Sequence, residues 1–459
     1  MRELAGSLSC YWPFGRNASR DAVNGGPRVL RNLSVGVGWV LLGTVTTQLG
    51  TLLSTIVVSR CLGRMLFGKY GMIQGTLLAL VSVGAAGISI SVTRYTSMYW
   101  ASDPARVGRI LGLFSVITCL SGILFSGALL FFTPFIALHV FGTADINPML
   151  RLAAVSVLFL TMNSFQLGAL VGFEAFRTIA RISVISASFA PAAAFLLTRM
   201  FELRGAVLAL TLSSALLWTL CHISIRRECR KRSIVPTYRG LLQETNAFGH
   251  FAIPAALSGI IGNIAIWLAN ATVVRTPGGF SELGLFTACN TLRQIVVFGP
   301  SVVNRVTLPF LARRQSTRGS FALPFRYNLA FTAAASLATA FALFVFGPFI
   351  LKVFGHDYRW VGGVAIPLLL AAVLEAVSAA LVHAILVRNR LWWQAAINLL
   401  WSVLLVGTTA LLASKGGAAA LAMAYCTAWA VSAVLLGLAA KLLVHYPAAL
   451  SATFDLPLK

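Results

Sequence analysis

Apolar stretches of about 20 residues or more recur along this chain, each long enough to cross a hydrocarbon core of roughly 30 Å. No other feature limits its possible folds as much. Hydrophobic residues make up 58% of the 459 positions and charged residues only 10%, too little charge to cover a soluble protein of this size. A segment in lipid must satisfy its own backbone polar groups, as a helix or as part of a closed barrel. The length of the runs and the near absence of charge inside them favour helices over barrel strands. The pattern predicts an all-α polytopic membrane protein with about 12 transmembrane helices. The expected spans are 33–59, 70–93, 108–132, 149–172, 178–198, 205–225, 248–270, 281–308, 322–346, 364–387, 391–413 and 417–440.

Charge supplies the organisation. The run IRRECRKRSIVPTYRGLLQET, residues 225–245, holds six Lys or Arg and separates two sets of six expected spans. The reading is a cytoplasmic tail over 1–32, a six-helix lobe over 33–225, a basic cytoplasmic linker over 226–247, a second lobe over 248–445 and a cytoplasmic tail over 446–459. With the N-terminus inside, the tails and inner loops carry about 21 Lys or Arg and the outer loops about nine, which is the positive-inside bias. Both termini are therefore expected in the cytoplasm. The loop SRCLGRMLFGKY, with three basic residues, runs against that trend. A formal net charge of +24 would suit nucleic acid in a soluble protein. Here most of it falls between spans, where it serves topology and contact with anionic membrane lipids. The seven Cys are scattered and form no CxxC or Cys/His cluster, so neither a metal nor a disulfide scaffold is expected. The N-terminal 32 residues lack a signal-peptide core, and the NASR sequon at Asn17 falls in the expected cytoplasmic tail.

Two short strings suggest internal repetition. TPFIALHVFG at 133–142 matches GPFILKVFG at 347–355, pairing Pro134 with Pro348 and the closing Phe-Gly steps. At nearly the same offset CLGRMLFGKYGMI aligns with TPGGFSELGLFTA, and Arg177 with Arg390. Six spans per half predict parallel repeats around a central cavity, related by an axis along the membrane normal. In both strings Pro ends or kinks a span and Gly permits a tight turn.

Walker A, GxSxG and HExxH motifs are absent, as is any Asp-rich pair for metal and nucleotide sugar. The informative residues are ionisable groups inside spans, each costly in lipid unless paired or wet. Arg293 lies mid-span and suits either an aqueous cavity or a structural pair; Arg305, nearer the span end, can snorkel. Asn290, Arg293 and Gln294 can share a helical face at i, i+3 and i+4. Glu375 and His383 lie two turns apart on one expected helix and are the ion-coupling candidates, although Glu375 can equally neutralise Arg293. Arg94, beside Tyr95 and Tyr99, suits an interfacial anchor or a phosphate contact at a cavity mouth. Gln48, Asn263 and Asn270 are cavity liners or interhelical hydrogen-bonding groups.

The strings NLSVGVGWVLLGTVTTQLGTLLSTIVVSRCLGRMLFGKYGM and GISISVTRYTSMYWASDPARVGRILG resemble the polysaccharide biosynthesis or O-antigen flippase family. That family lies within the multidrug/oligosaccharidyl-lipid/polysaccharide exporter superfamily. The resemblance spans roughly residues 30–440. It rests on Phe67-Gly68-Lys69-Tyr70, Thr93-Arg94-Tyr95, Asp103-Pro104-Ala105-Arg106, Leu308-Pro309 and Phe354-Gly355. It implies movement of undecaprenyl-pyrophosphate-linked oligosaccharide across a bacterial inner membrane by alternating access, with Arg94, Arg293 and Arg305 lining a basic cavity. It implies no cofactor beyond proton or sodium coupling, and polysaccharide polymerase and chain-length machinery as partners. The alternatives are a cation or multidrug antiporter of the same superfamily and a membrane-embedded glycan polymerase or ligase. An antiporter site would call for more intramembrane acids than this chain has, and a polymerase for a larger outer loop.

Overall fold

The computed structural model describes residues 27–238, 252–314, 322–358, 360–387 and 391–445. Most of the expected tails, the NASR sequon and the later part of the basic linker lie outside the described residues. Among the described residues ten α-helices follow one another: α1 (Pro27–Gly84), α2 (Ile88–Tyr99), α3 (Pro104–Phe135), α4 (Asn147–Gly172), α5 (Phe176–Lys231), α6 (Ala252–Val274), α7 (Gly279–Arg314), α8 (Ala322–Phe354), α9 (Gly362–Val387) and α10 (Leu391–His445). Two compact units divide the chain, Met1–Asn263 and Ile264–Lys459.

The expectation of about 12 spans in two parallel six-helix repeats is corrected by the structure. Among the described residues, seven helices are long and apolar enough to cross a membrane. Three of them absorb expected spans in pairs, because the short segments between those spans contain no Pro and helical geometry resumes after a single aberrant residue. That residue is Gly63 on α1 (φ 68°, ψ 175°), Glu202 on α5 (φ 49°, ψ −128°) and Gly417 on α10 (φ 46°, ψ −110°). On α5 the change of direction is severe: a Cβ placed on Gly205 would strike the Leu197 carbonyl. Eight residues of straight helix would separate those two by about 12 Å. The expected span 70–93 is divided between α1 and α2 at Gly87, whose φ is 68°. The expected span 281–308 lies on α7, which is not among the seven; Asn290, Arg293 and Gln294 interrupt its apolar run.

In the N-terminal unit α1 packs along α5, α4 on α5 and α3, and α2 on α4. Its core gathers Ile88, Val92, Ile110, Phe114, Phe165 and Phe173. The α2–α4 crossing is close because α4 offers glycine there. A Cβ on Gly168 would lie 2.6 Å from the Ser89 carbonyl oxygen, and one on Gly172 2.7 Å from the Thr96 Cβ. The Thr93 hydroxyl uses that proximity to donate to the Gly168 carbonyl at 2.9 Å, the small-xxx-small packing expected between helices in lipid. The Asp103-Pro104-Ala105-Arg106 string starts α3: the Asp103 carboxylate accepts from the Arg106 amide at 2.9 Å and Pro104 takes the first turn. The Arg106 guanidinium carbon lies 4.1 Å from the Tyr99 ring centroid.

The C-terminal unit is built on α9, which packs against α10, α7 and α8, with α7 also touching α8 and α10. Phe325, Leu381, Ile385 and Leu436 form part of its core. In both similar strings Pro lies inside a helix, Pro134 on α3 and Pro348 on α8. Each string closes on a glycine of positive φ, Gly142 (70°) and Gly355 (143°). The first adds a single π turn at Ile136–Val140.

Candidate functional site

Arg293 anchors a polar cluster inside the C-terminal unit. It projects from α7 one turn after Asn290, and its Nε donates to Asn290 Oδ1 at 2.6 Å. Its Nη1 donates to Glu375 Oε2, from α9. From α10, Tyr425 lies under the guanidinium, with the carbon 5.4 Å from the ring centroid. Only 12% of the Arg293 side chain and 21% of that of Glu375 are exposed, so both charges are largely withdrawn from solvent. Withdrawing a lone guanidinium from water is costly; the carboxylate, amide and ring offset that cost. Tyr425 is fixed by Phe286 (centroids 5.4 Å apart) and by Trp401 (6.2 Å), and Trp401 packs in turn on Trp429 (5.3 Å).

The structure thus brings together three residues singled out in the sequence, Asn290, Arg293 and Glu375. It does not bring in Gln294, which is exposed. Arg94 is half-buried on α2 in the N-terminal unit, its guanidinium carbon 5.9 Å from the Tyr95 ring centroid. Gln48 on α1 and Asn263 on α6 are half-buried. The Asn270 Oδ1 is buried without a hydrogen-bond partner. The side chains of Arg305 and His383 lie outside the described residues. Sequence reasoning missed Tyr425, because an aromatic residue in an apolar run carries no local mark of the helix it will face.

Two polar arrangements in the N-terminal unit were also missed. Along α4 and α5 runs a buried ladder. The Ser156 and Thr211 hydroxyls lie 2.7 Å apart, Asn163 Nδ2 donates to the Ser214 carbonyl at 3.1 Å, and the Gln166 amide pairs with Trp218. With the amide oriented to suit, it donates to the Trp218 carbonyl at 3.1 Å and accepts from the indole N–H at 3.3 Å. The signal was present: Asn163 and Gln166 are spaced i, i+3 within an expected span, as Asn290 and Arg293 are. At the end of α5, Arg232 donates to Glu228 and, through Nη2, to the Phe173 carbonyl at 2.9 Å. Its guanidinium carbon lies 5.0 Å from both the Trp100 and Phe173 ring centroids. Lys231 Nζ adds a 2.9 Å bond to Glu228. Beyond it Ile234 is buried in the core and the Thr237 amide donates to the Gly108 carbonyl at 3.1 Å. Burial pushes the nearby Glu174 carboxyl above its ordinary range, with the Arg232 charge opposing that rise. Among the described residues no group of three His, Cys, Asp or Glu is arranged to hold a metal ion.

Comparison with known proteins identifies this architecture. The family described as "Polysaccharide biosynthesis protein" matches residues 33–315. The EPS I polysaccharide export inner membrane protein EpsE of Ralstonia nicotianae is 25% identical over 369 residues, covering 78% of this chain and 83% of that protein. EpsE of Ralstonia solanacearum is 25% identical over 405 residues, covering 84% and 89%. Among solved structures, an inward-facing multidrug resistance MATE transporter of the MOP superfamily superposes with a TM-score of 0.72 at 15% identity, covering 88% of this chain and 96% of that one. A MOP superfamily transporter from Pyrococcus furiosus, described as having a binding pocket of reverse polarity, gives 0.61 at 13% identity, covering 89% and 97%. At such identities the likeness shows the fold. The Ralstonia relatives are described as export proteins and these two solved structures as transporters. The chain is a multi-pass membrane protein that belongs to the polysaccharide biosynthesis protein family.

Proposed function

We propose that this protein moves an undecaprenyl-pyrophosphate-linked oligosaccharide from the cytoplasmic to the periplasmic leaflet of a bacterial inner membrane by alternating access. The observation that carries the reading is Arg293, a largely buried guanidinium held on a preorganised support of Asn290, Glu375 and Tyr425. The planar fork of Arg suits phosphate oxygens, and its orientation is already held before a ligand arrives. The Ralstonia relatives, described as polysaccharide export inner membrane proteins, support a cargo from polysaccharide export. Arg94 and Arg305 are further phosphate contacts, and Gln48, Asn263, Asn290 and Gln294 hydrogen-bond sugar or water along the path. Glu375 and His383 are the coupling groups for a proton or sodium ion; no other cofactor is called for. The exposed Arg226, Arg227 and Arg230 at the end of α5 meet anionic lipids in the cytoplasmic leaflet. Polymerase and chain-length machinery are the natural partners for the product.

A second reading is efflux of cationic compounds, and the fold comparisons favour it, since several of those structures are multidrug transporters. Its difficulty lies in the cluster: Glu375 is matched by Arg293, so the site carries no surplus negative charge for a cation. Leaflet accessibility of radiolabelled lipid-linked glycan separates the two. In cells lacking the gene the intermediate is expected to stay on the cytoplasmic leaflet; the wild-type gene restores translocation and Arg293→Ala does not. Normal translocation without the gene, together with lost drug tolerance, establishes efflux instead.

A further inference from the structure

Arg293 already holds an anion. Its Nη1 donates to Glu375, its Nε to Asn290, and Tyr425 lies beneath the plane. The cluster is electrically balanced. This inference rests on Arg293 being the site of an anionic head group, and it concerns what that head group must displace. A phosphate brought against Arg293 would stand next to the Glu375 carboxylate, both partly withdrawn from water, where like charges repel strongly and one of them is driven to protonate. We propose that Glu375 occupies Arg293 as a built-in stand-in for the substrate's phosphate, and that an anionic head group replaces it only as Glu375 takes up one proton.

Uptake removes the competing charge and turns the carboxyl into a hydrogen-bond donor, able to give its proton to a phosphate oxygen. His383, two turns further along α9, is the other group named for coupling, and its side chain lies outside the described residues; Glu375→Gln below separates the two. Among the described residues, α7 presents Arg293, itself bonded to Asn290, to Glu375, and α10 presents Tyr425. The buried polar residues of α8, which packs on both α7 and α9, are Asn328, Thr332 and Ser336, none of which titrates in the neutral range. With Glu375 as the acceptor, binding and proton uptake are linked one to one. The affinity for an anion falls as pH rises, by about tenfold per unit at the limiting slope, wherever Glu375 is ionised when free and protonated when the anion is bound.

The test is calorimetry on the full chain in lipid nanodiscs, in buffers of different ionisation enthalpy, so that protons taken up are counted directly. The probe is a polyprenyl sulfate, whose anion does not itself titrate between pH 5 and 9; a polyprenyl pyrophosphate is run beside it. Wild type is expected to take up about one proton per sulfate bound and to bind more weakly as pH rises. Glu375→Gln is expected to bind both probes with no proton uptake and a flat pH profile. The proton count on the wild type needs no variant, so the inference is tested even if Glu375→Gln folds poorly. Binding of both probes by the wild type with no proton uptake overturns the inference and leaves the export reading standing. Failure of both probes to bind at any pH, with a lipophilic cation binding instead, overturns the export reading and this inference together.

Discussion

Arg293 and Glu375 neutralise each other, so losing one differs from losing both. A single Arg293→Gln or Glu375→Ala leaves a buried charge without its partner, at a cost of about 3 kcal/mol. The double variant Arg293→Gln/Glu375→Gln is expected to cost clearly less than either single change. Thermal unfolding in detergent, followed by tryptophan fluorescence, reads the difference; additive losses would mean the two groups do not depend on each other. Glu174 follows the opposite logic. Burial raises its carboxyl in the folded state, so its contribution to stability is full at acid pH, below its unfolded value, and is lost as pH rises through the folded one. Glu174→Gln is therefore expected to raise the melting temperature at pH 7 and to change little at pH 4. A loss at pH 7 would show that attraction to Arg232 outweighs desolvation.

At the scale of elements, single residues decide how helices meet or break. Gly417 holds φ at 46°, a Cβ there would lie 2.7 Å from the Glu282 side chain, and Glu282 Oε2 accepts from the Ala418 amide at 3.1 Å. The carboxylate thus caps the helix that resumes after the break. Gly417→Ala is expected to destabilise the protein by about 1–2 kcal/mol, from backbone strain plus displacement of that cap. Glu282→Gln keeps the acceptor oxygen and should cost much less; equal losses would point to charge rather than geometry. Gly172→Leu forces apart α2 and α4 and should lower folded yield sharply, whereas Gly127→Leu, with open space around its Cβ position, should not. The Arg232 clamp belongs at this scale as well. As a sequence, IRRECRKRS reads as bulk positive charge; in the fold Arg226, Arg227 and Arg230 are exposed while Arg232 lies between two rings and a carboxylate. The three exposed residues lie on α5 itself, whereas Arg232 follows its last residue, where the chain turns back onto the core.

For the whole molecule, the excess of Lys and Arg implies a direction across the membrane. With the N-terminus inside, a lone cysteine replacing Arg227 in a cysteine-free background is expected to react with a membrane-impermeant maleimide only after the cytoplasmic side is opened. Labelling of intact cells from outside would reverse the orientation. Segment length, low internal charge, the strings shared with one family and the isolated polar residues of expected spans were all legible without a structure. Each is a property of composition or of one helical turn. The number of separate helices was not legible, because one residue such as Glu202 decides whether a long apolar run continues or folds back, and its φ is set by what packs around it. The partner of Arg293 was visible only as one possibility among several. Glu375 lies 82 positions away in the chain, and Tyr425 had no distinguishing mark at all. Periodicity places a side chain on a face of its own helix; which face meets which neighbour depends on the rotation and tilt of packed helices, and only the tertiary structure decides that.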